Sequence, residues 1–156
     1  MRQHESGDTS IVDSTRAHRR FAHLLGYAGA AVVPVLVCLA FLSPEISDIV
    51  RRVSVVYGAA ILAFLGGIQW GLSMSSSEPR VRLRRLVVSM VPPLWSVMAL
   101  SLPTGVCTLL LISGLVALLI YEWVEGAGHS TADWYLPLRL QLTAVLTLSL
   151  ALTLLL

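Results

Sequence analysis

Lysine is absent: all eleven basic residues of the 156-residue chain are arginine. Charge of either sign is scarce, with Asp, Glu, Lys and Arg together making up 13% of the residues, about half the share of an ordinary soluble domain. Cysteine is limited to Cys38 and Cys107, each inside an apolar run and without CxxC or Cys/His spacing. That excludes a zinc or thiol-redox motif. The chain also lacks a glycine loop that could cradle phosphate, a GxSxG elbow and a defensible Ser/His/Asp set. No catalytic residues, no metal and no cofactor are expected on these grounds. The basic tract "EPRVRLRR" (78–85) is the densest positive charge, and nothing else accompanies it that would point to nucleic acid.

Apolar residues are abundant. They form 56% of the chain, and the mean hydropathy is +0.78. A soluble domain of this size could not hide so much apolar surface, so a single-domain polytopic membrane protein is expected. Five segments are long enough, or nearly so, to cross a hydrocarbon core of about 30 Å. They run about 22–42, 53–74, 86–102, 105–123 and 138–156. The fold class is therefore all-α, a bundle of five transmembrane helices over residues 22–156. Residues 1–21 read as a disordered cytoplasmic tail. Arginine placement orients the bundle: Arg2, Arg16, Arg19, Arg20, Arg80, Arg82, Arg84, Arg85 and Arg139 fall on one side, Arg51 and Arg52 on the other. Because loops rich in arginine stay in the cytoplasm, the amino terminus is expected inside and the carboxyl terminus outside. "SLPTG" (101–105) leaves room only for a tight turn, which makes spans three and four an antiparallel hairpin.

Several residues interrupt the apolar pattern. At a spacing of four, the second span presents Ala59, Ala63, Gly67 and Gly71, a stripe expected to pack closely against another helix. Gln69 needs hydrogen-bond partners if it faces the bundle, and Trp70 suits either an interface anchor or the wall of a site. Pro92 and Pro93 remove two backbone donors from the third span and should kink it beside the glycine-rich part of the second. Around the last connection, Tyr121, Trp123, Trp134 and Tyr135 form an aromatic belt, with Glu122, Glu125, His129 and Asp133 among them. These acidic groups read as a solvated headgroup boundary. Arg139 stands inside the last apolar run, where it must snorkel, grip a lipid phosphate, or pair with Glu122 or Asp133.

Three blocks, "YGAAILAFLGGIQWGL" (57–72), "VPPLWSVMAL" (91–100) and "DWYLPLRLQLT" (133–143), resemble the family named for domain of unknown function 3429. That family is common in proteobacteria and has a eukaryotic relative in transmembrane protein 69. The resemblance implies a small, all-helical inner-membrane protein and no particular reaction. Position by position, Tyr57, Gly66, Gly67, Trp70, Gly71, Pro92, Trp134, Tyr135 and Arg139 match the family's pattern. With Gln69 and Pro93, they are the candidates for a binding or functional cluster.

The expected function is that of a multi-pass protein of the bacterial inner membrane without catalysis of its own. It would act as an accessory, assembly or structural partner of a larger membrane complex, or as a homo-oligomer, with the lipid bilayer as its surroundings. The alternative is a binder or carrier of a hydrophobic small molecule, a lipid or quinone, at the inner leaflet.

Overall fold

The computed structural model describes residues 5–126 and 135–156, with side chains from 23 to 125 and from 135 onward. These residues form α1 (Glu5–Leu42), α2 (Ser47–Met74), α3 (Pro79–Leu100), α4 (Thr104–Gly126) and α5 (Tyr135–Leu152). Single 3-10 turns lie at Pro44–Ile46 and Thr153–Leu155. Each of the five helices contains a stretch long and apolar enough to cross a membrane. The protein is an all-helical, multi-pass membrane protein, as its composition indicates.

The helices outrun the expected spans mainly at polar ends. α2 starts at Ser47 and α3 at Pro79, several residues before their apolar runs. α1 starts at Glu5, so helical backbone occupies the stretch expected to be a disordered tail. Once an apolar helix is nucleated, each further residue adds a hydrogen bond at little cost, so polar residues can continue it. Proline marks the entries: Pro44 opens the 3-10 turn and Pro79 begins α3, where a missing N–H costs nothing. The α3–α4 turn is closed by Ser101 N–H on Met98 O and Leu102 N–H on Ala99 O, which gives the antiparallel hairpin expected from "SLPTG".

Burial differs from that of a soluble bundle on both sides of the helices. Large apolar side chains such as Phe41, Phe64, Leu94, Val97 and Leu148 face outward, while Ser54, Gln69, Ser89, Ser96, Thr108, Glu122, Arg139 and Thr143 are buried. Lipid tails are as apolar as leucine, so burying leucine drives little association; close backbone packing and interhelical hydrogen bonds do more. Several buried hydroxyls are satisfied within their own helix, as where Ser96 Oγ donates to Pro92 O at 2.8 Å and Ser149 Oγ to Val145 O at 2.7 Å. Between helices, Tyr57 Oη donates to Gly29 O at 2.7 Å, joining α2 to α1. Tyr27 Oη donates to Gln141 Oε1, joining α1 to α5. An apolar centre of Val33, Val55, Leu62, Leu111, Leu115 and Leu150 fills the remainder.

The most extensive helix pair is α2 with α3, and its close approach is at Gly66. A Cβ there would lie 2.7 Å from Ser89 O, 2.9 Å from Pro93 Cδ and 3.2 Å from Pro92 Cβ. Pro93 has no N–H to offer the carbonyl four residues earlier, so Ser89 O is released from the helical ladder. The absence of a side chain at Gly66 lets the α2 backbone settle against that carbonyl.

Candidate functional site

Three buried polar side chains from three helices meet near one end of the bundle. Gln69 on α2 donates through Nε2 to Glu122 Oε1 at 2.8 Å. Arg139 on α5 donates through Nε to Glu122 Oε2 at 2.8 Å and through Nη2 to Oε1 at 3.1 Å. All three residues are at most 5% exposed. The paired, charge-assisted geometry is the strong form of a guanidinium–carboxylate contact, and it lies where neither charge could stand alone without a large penalty. Tyr135, the first residue of α5, interacts with both members of the pair. Because both Glu122 oxygens already accept hydrogen bonds, this cluster ties α2, α4 and α5 together rather than offering a free base.

Glu122 therefore departs from the expected solvated boundary. It lies one helical turn inside the end of α4, and Arg139 sits one turn inside the start of α5, so each is the other's means of entering the bundle. Among the described residues Glu122 is the acidic partner that engages Arg139; Asp133, His129 and Trp134 lie outside the described residues. Glu125, the next carboxylate, is paired instead with Arg84 and more loosely with Arg85, whose Nε is 3.9 Å from Oε2.

The small-residue stripe also requires correction. Ala59 is buried and Ala63 half-buried, but Gly67 and Gly71 are exposed. A Cβ at either glycine would meet nothing within 4 Å. The intramolecular packing surface passes through Gly66, because a helix of 3.6 residues per turn drifts away from a strict spacing of four. The wider candidate cluster divides accordingly. Gln69, Tyr135 and Arg139 come together around Glu122; Gly66, Pro92 and Pro93 form the α2–α3 contact; Tyr57 holds α1; Trp70 is 40% exposed.

On a neighbouring face of α4 is a groove of about 440 Å³, within the usual range for small-molecule sites. One wall is the α3 face of Val88, Val91, Pro92 and Trp95; the other is the α4 face of Ser113, Gly114, Ala117, Leu118 and Tyr121, with Leu62 of α2 behind. Trp95 shapes the deep end. Its Nε1–H donates to Leu110 O at 2.8 Å, and its ring lies where a Cβ on Gly114 would stand, 2.9 Å from Cδ1. At the other end the same two faces continue, one turn on, into Arg84 and Glu125, which pair across the gap. The groove thus has an apolar body about 12 Å long, from the 1.5 Å rise over residues 113–121, and a charged mouth. It is lined by Pro92 but not by Gln69.

Trp95 and Gly114 are not among the sequence-derived candidates, while Tyr121 enters there only in the aromatic belt and Glu122 only as one of two partners for Arg139. Glu122 and Arg139 were legible in one respect: adjacent spans each carry one charge inside the apolar limit, and the charges are opposite. Gly114 and Trp95 had no such signal, since only the hairpin pairing brings them opposite each other.

Among proteins of known structure, none matches. Transmembrane protein 69 of Xenopus tropicalis is 34% identical over 99 residues, which is 62% of this chain and 38% of that protein. The chain thus aligns with well under half the length of that relative. The family described as "Protein of unknown function (DUF3429)" matches residues 18–155, from the end of the α1 polar segment to the last turn. The chain belongs to the DUF3429 family.

Proposed function

We propose that the protein binds a lipid-class molecule in the groove between α3 and α4, without catalysing a reaction of its own. The observation that carries this reading is the groove itself: an apolar channel of about 440 Å³ on the flank of a membrane bundle, with charge at one end. In a bilayer, such a surface is covered by acyl chains, and a channel that fits one chain holds it longer than a flat helix face. The groove's charged mouth is on the side that carries Arg80, Arg82, Arg84 and Arg85. The positive-inside rule supports a cytoplasmic orientation for that side, and on this reading the site belongs to the inner leaflet of a bacterial cytoplasmic membrane. The absence of catalysis is supported by Glu122, whose two oxygens are occupied by Gln69 and Arg139.

Native mass spectrometry of the gently purified protein tests the reading. A lipid adduct of about one per chain is expected, and Ala117→Phe, which fills the groove from an exposed position, should remove it. Wild-type protein carrying no lipid, or a variant retaining it unchanged, would overturn the proposal.

A second reading is favoured by a separate observation. Gly67 and Gly71 face outward with open space before them, which is the surface by which one membrane helix can approach another. An accessory role in a larger complex, or a homo-oligomer, would use this face. Gly67→Leu with Gly71→Leu should then lower the assembled mass under mild detergent; an unchanged mass would exclude it.

A further inference from the structure

The groove's charged end has a composition that selects among lipids. Arg84 and Arg85 both approach Glu125, so two guanidinium groups share one carboxylate, leaving one positive charge beside the apolar channel. The Arg84 side chain is 53% exposed, whereas those of Arg85 and Glu125 are 11% and 10% exposed. The exposed Arg84 can therefore swing from Glu125 toward the headgroup region, leaving the more buried Arg85 as the nearby cation. Tyr121, the last groove residue on α4, lies within the electrostatic reach of all three. Arg84, Val88, Val91 and Trp95 recur every three or four residues on α3, and Ala117, Tyr121 and Glu125 recur every four on α4, so charge and channel belong to the same two helix faces. A general positive-inside anchor needs arginine only in the loop; it does not need it at the head of a chain-sized groove.

We infer that the groove holds the acyl chain of an anionic phospholipid, whose phosphate is gripped by Arg84 and Arg85 in competition with Glu125. This rests on the lipid-binding reading above and names the headgroup class. Arginine suits phosphate because its planar donors can engage two oxygens together. Glu125 then acts as a placeholder: it keeps the two cations in position when no phosphate is present and lowers their affinity for one that arrives.

The test uses the full chain reconstituted in phosphatidylcholine vesicles containing a trace of spin-labelled phosphatidylglycerol or spin-labelled phosphatidylcholine with identical chains. The motionally restricted fraction of each label is read by electron paramagnetic resonance. The expected preference for phosphatidylglycerol is about fivefold, the effect of roughly one net charge at the membrane surface. Arg84→Gln with Arg85→Gln should abolish that preference while leaving restricted phosphatidylcholine in place. Glu125→Gln should raise it, a change opposite to that expected if the ion pair served folding alone. Arg80→Gln removes the same charge away from the groove and should leave the preference largely intact.

Equal restriction of both lipids by wild-type protein would overturn the headgroup assignment while leaving the groove reading standing. So would a drop with Arg80→Gln as large as with the groove variants, or a fall with Glu125→Gln. No restricted component for either lipid would overturn the groove reading itself.

Discussion

Tyr121 and Glu122 are consecutive on α4 and face two different environments. Glu122 points into the bundle, where Gln69 and Arg139 use both of its oxygens and almost nothing of it is exposed. Tyr121, about 100° round the helix, lines an open apolar groove within the electrostatic reach of Arg84 and Arg85. The closed side uses charge to hold helices together. The open side keeps charge at the end of a channel that the described residues leave unfilled. A structural role accounts for the first arrangement; the second is the one that the proposed lipid would fill. The same contrast recurs at Gly66 and Gly67 on α2. The first glycine is pressed on the α3 backbone, and the second has nothing before it.

This contrast can be broken most severely at the closed side. Glu122→Leu removes the counter-charge that Arg139 has among the described residues, and the expected loss is about 3–5 kcal/mol of bundle stability. Adding Arg139→Met removes both charges and should restore most of that loss, because an ion pair replaced as a unit by apolar groups is often neutral. Unfolding in a mixed-micelle titration measures both, and a double variant no better than the single one would deny that the two charges act as a pair.

Gly66→Ala comes next. Its Cβ would stand 2.7 Å from a backbone oxygen, which cannot rotate away, so a loss of about 1–3 kcal/mol is expected as α2 and α3 separate. Gly67→Ala, one residue on, should show no loss in the same titration. Equal costs at the two positions would mean that the close approach lies elsewhere.

Smaller effects sharpen the comparison. Gln69→Leu should cost about 1 kcal/mol, the scale of an interhelical hydrogen bond in lipid, since Arg139 still satisfies Glu122. Ala117→Phe should leave the unfolding midpoint within experimental error and yet remove bound lipid. A large stability loss from Ala117→Phe would show the groove to be part of the packed interior.

Much of the architecture could be read from the chain because a membrane imposes a coarse requirement. Runs of about twenty apolar residues must be helical to satisfy their own backbone, and "SLPTG" is too short for anything but a hairpin. The site was less legible for reasons that particular residues illustrate. Arg139 announced a need for a partner by sitting inside an apolar run, but composition could not choose between Glu122 and Asp133, which is a matter of helix rotation. Gly67 and Gly71 carry the familiar spacing of a packing motif and face outward, while Gly66 makes the contact. Spacing describes a stripe on one helix but does not say which neighbour it meets. The groove was the least legible feature, since it arises from what Gly114 and Ala117 leave empty once α3 and α4 are side by side.

The central claim is that a lipid chain occupies the α3–α4 groove. Cryo-electron microscopy of the protein in lipid nanodiscs would show whether one is there. An ordered acyl chain lying along Trp95, Ala117 and Tyr121, with its headgroup at Arg84 and Arg85, is expected. A groove closed by inward movement of Trp95 or Tyr121, with no chain between the two helices, would contradict it.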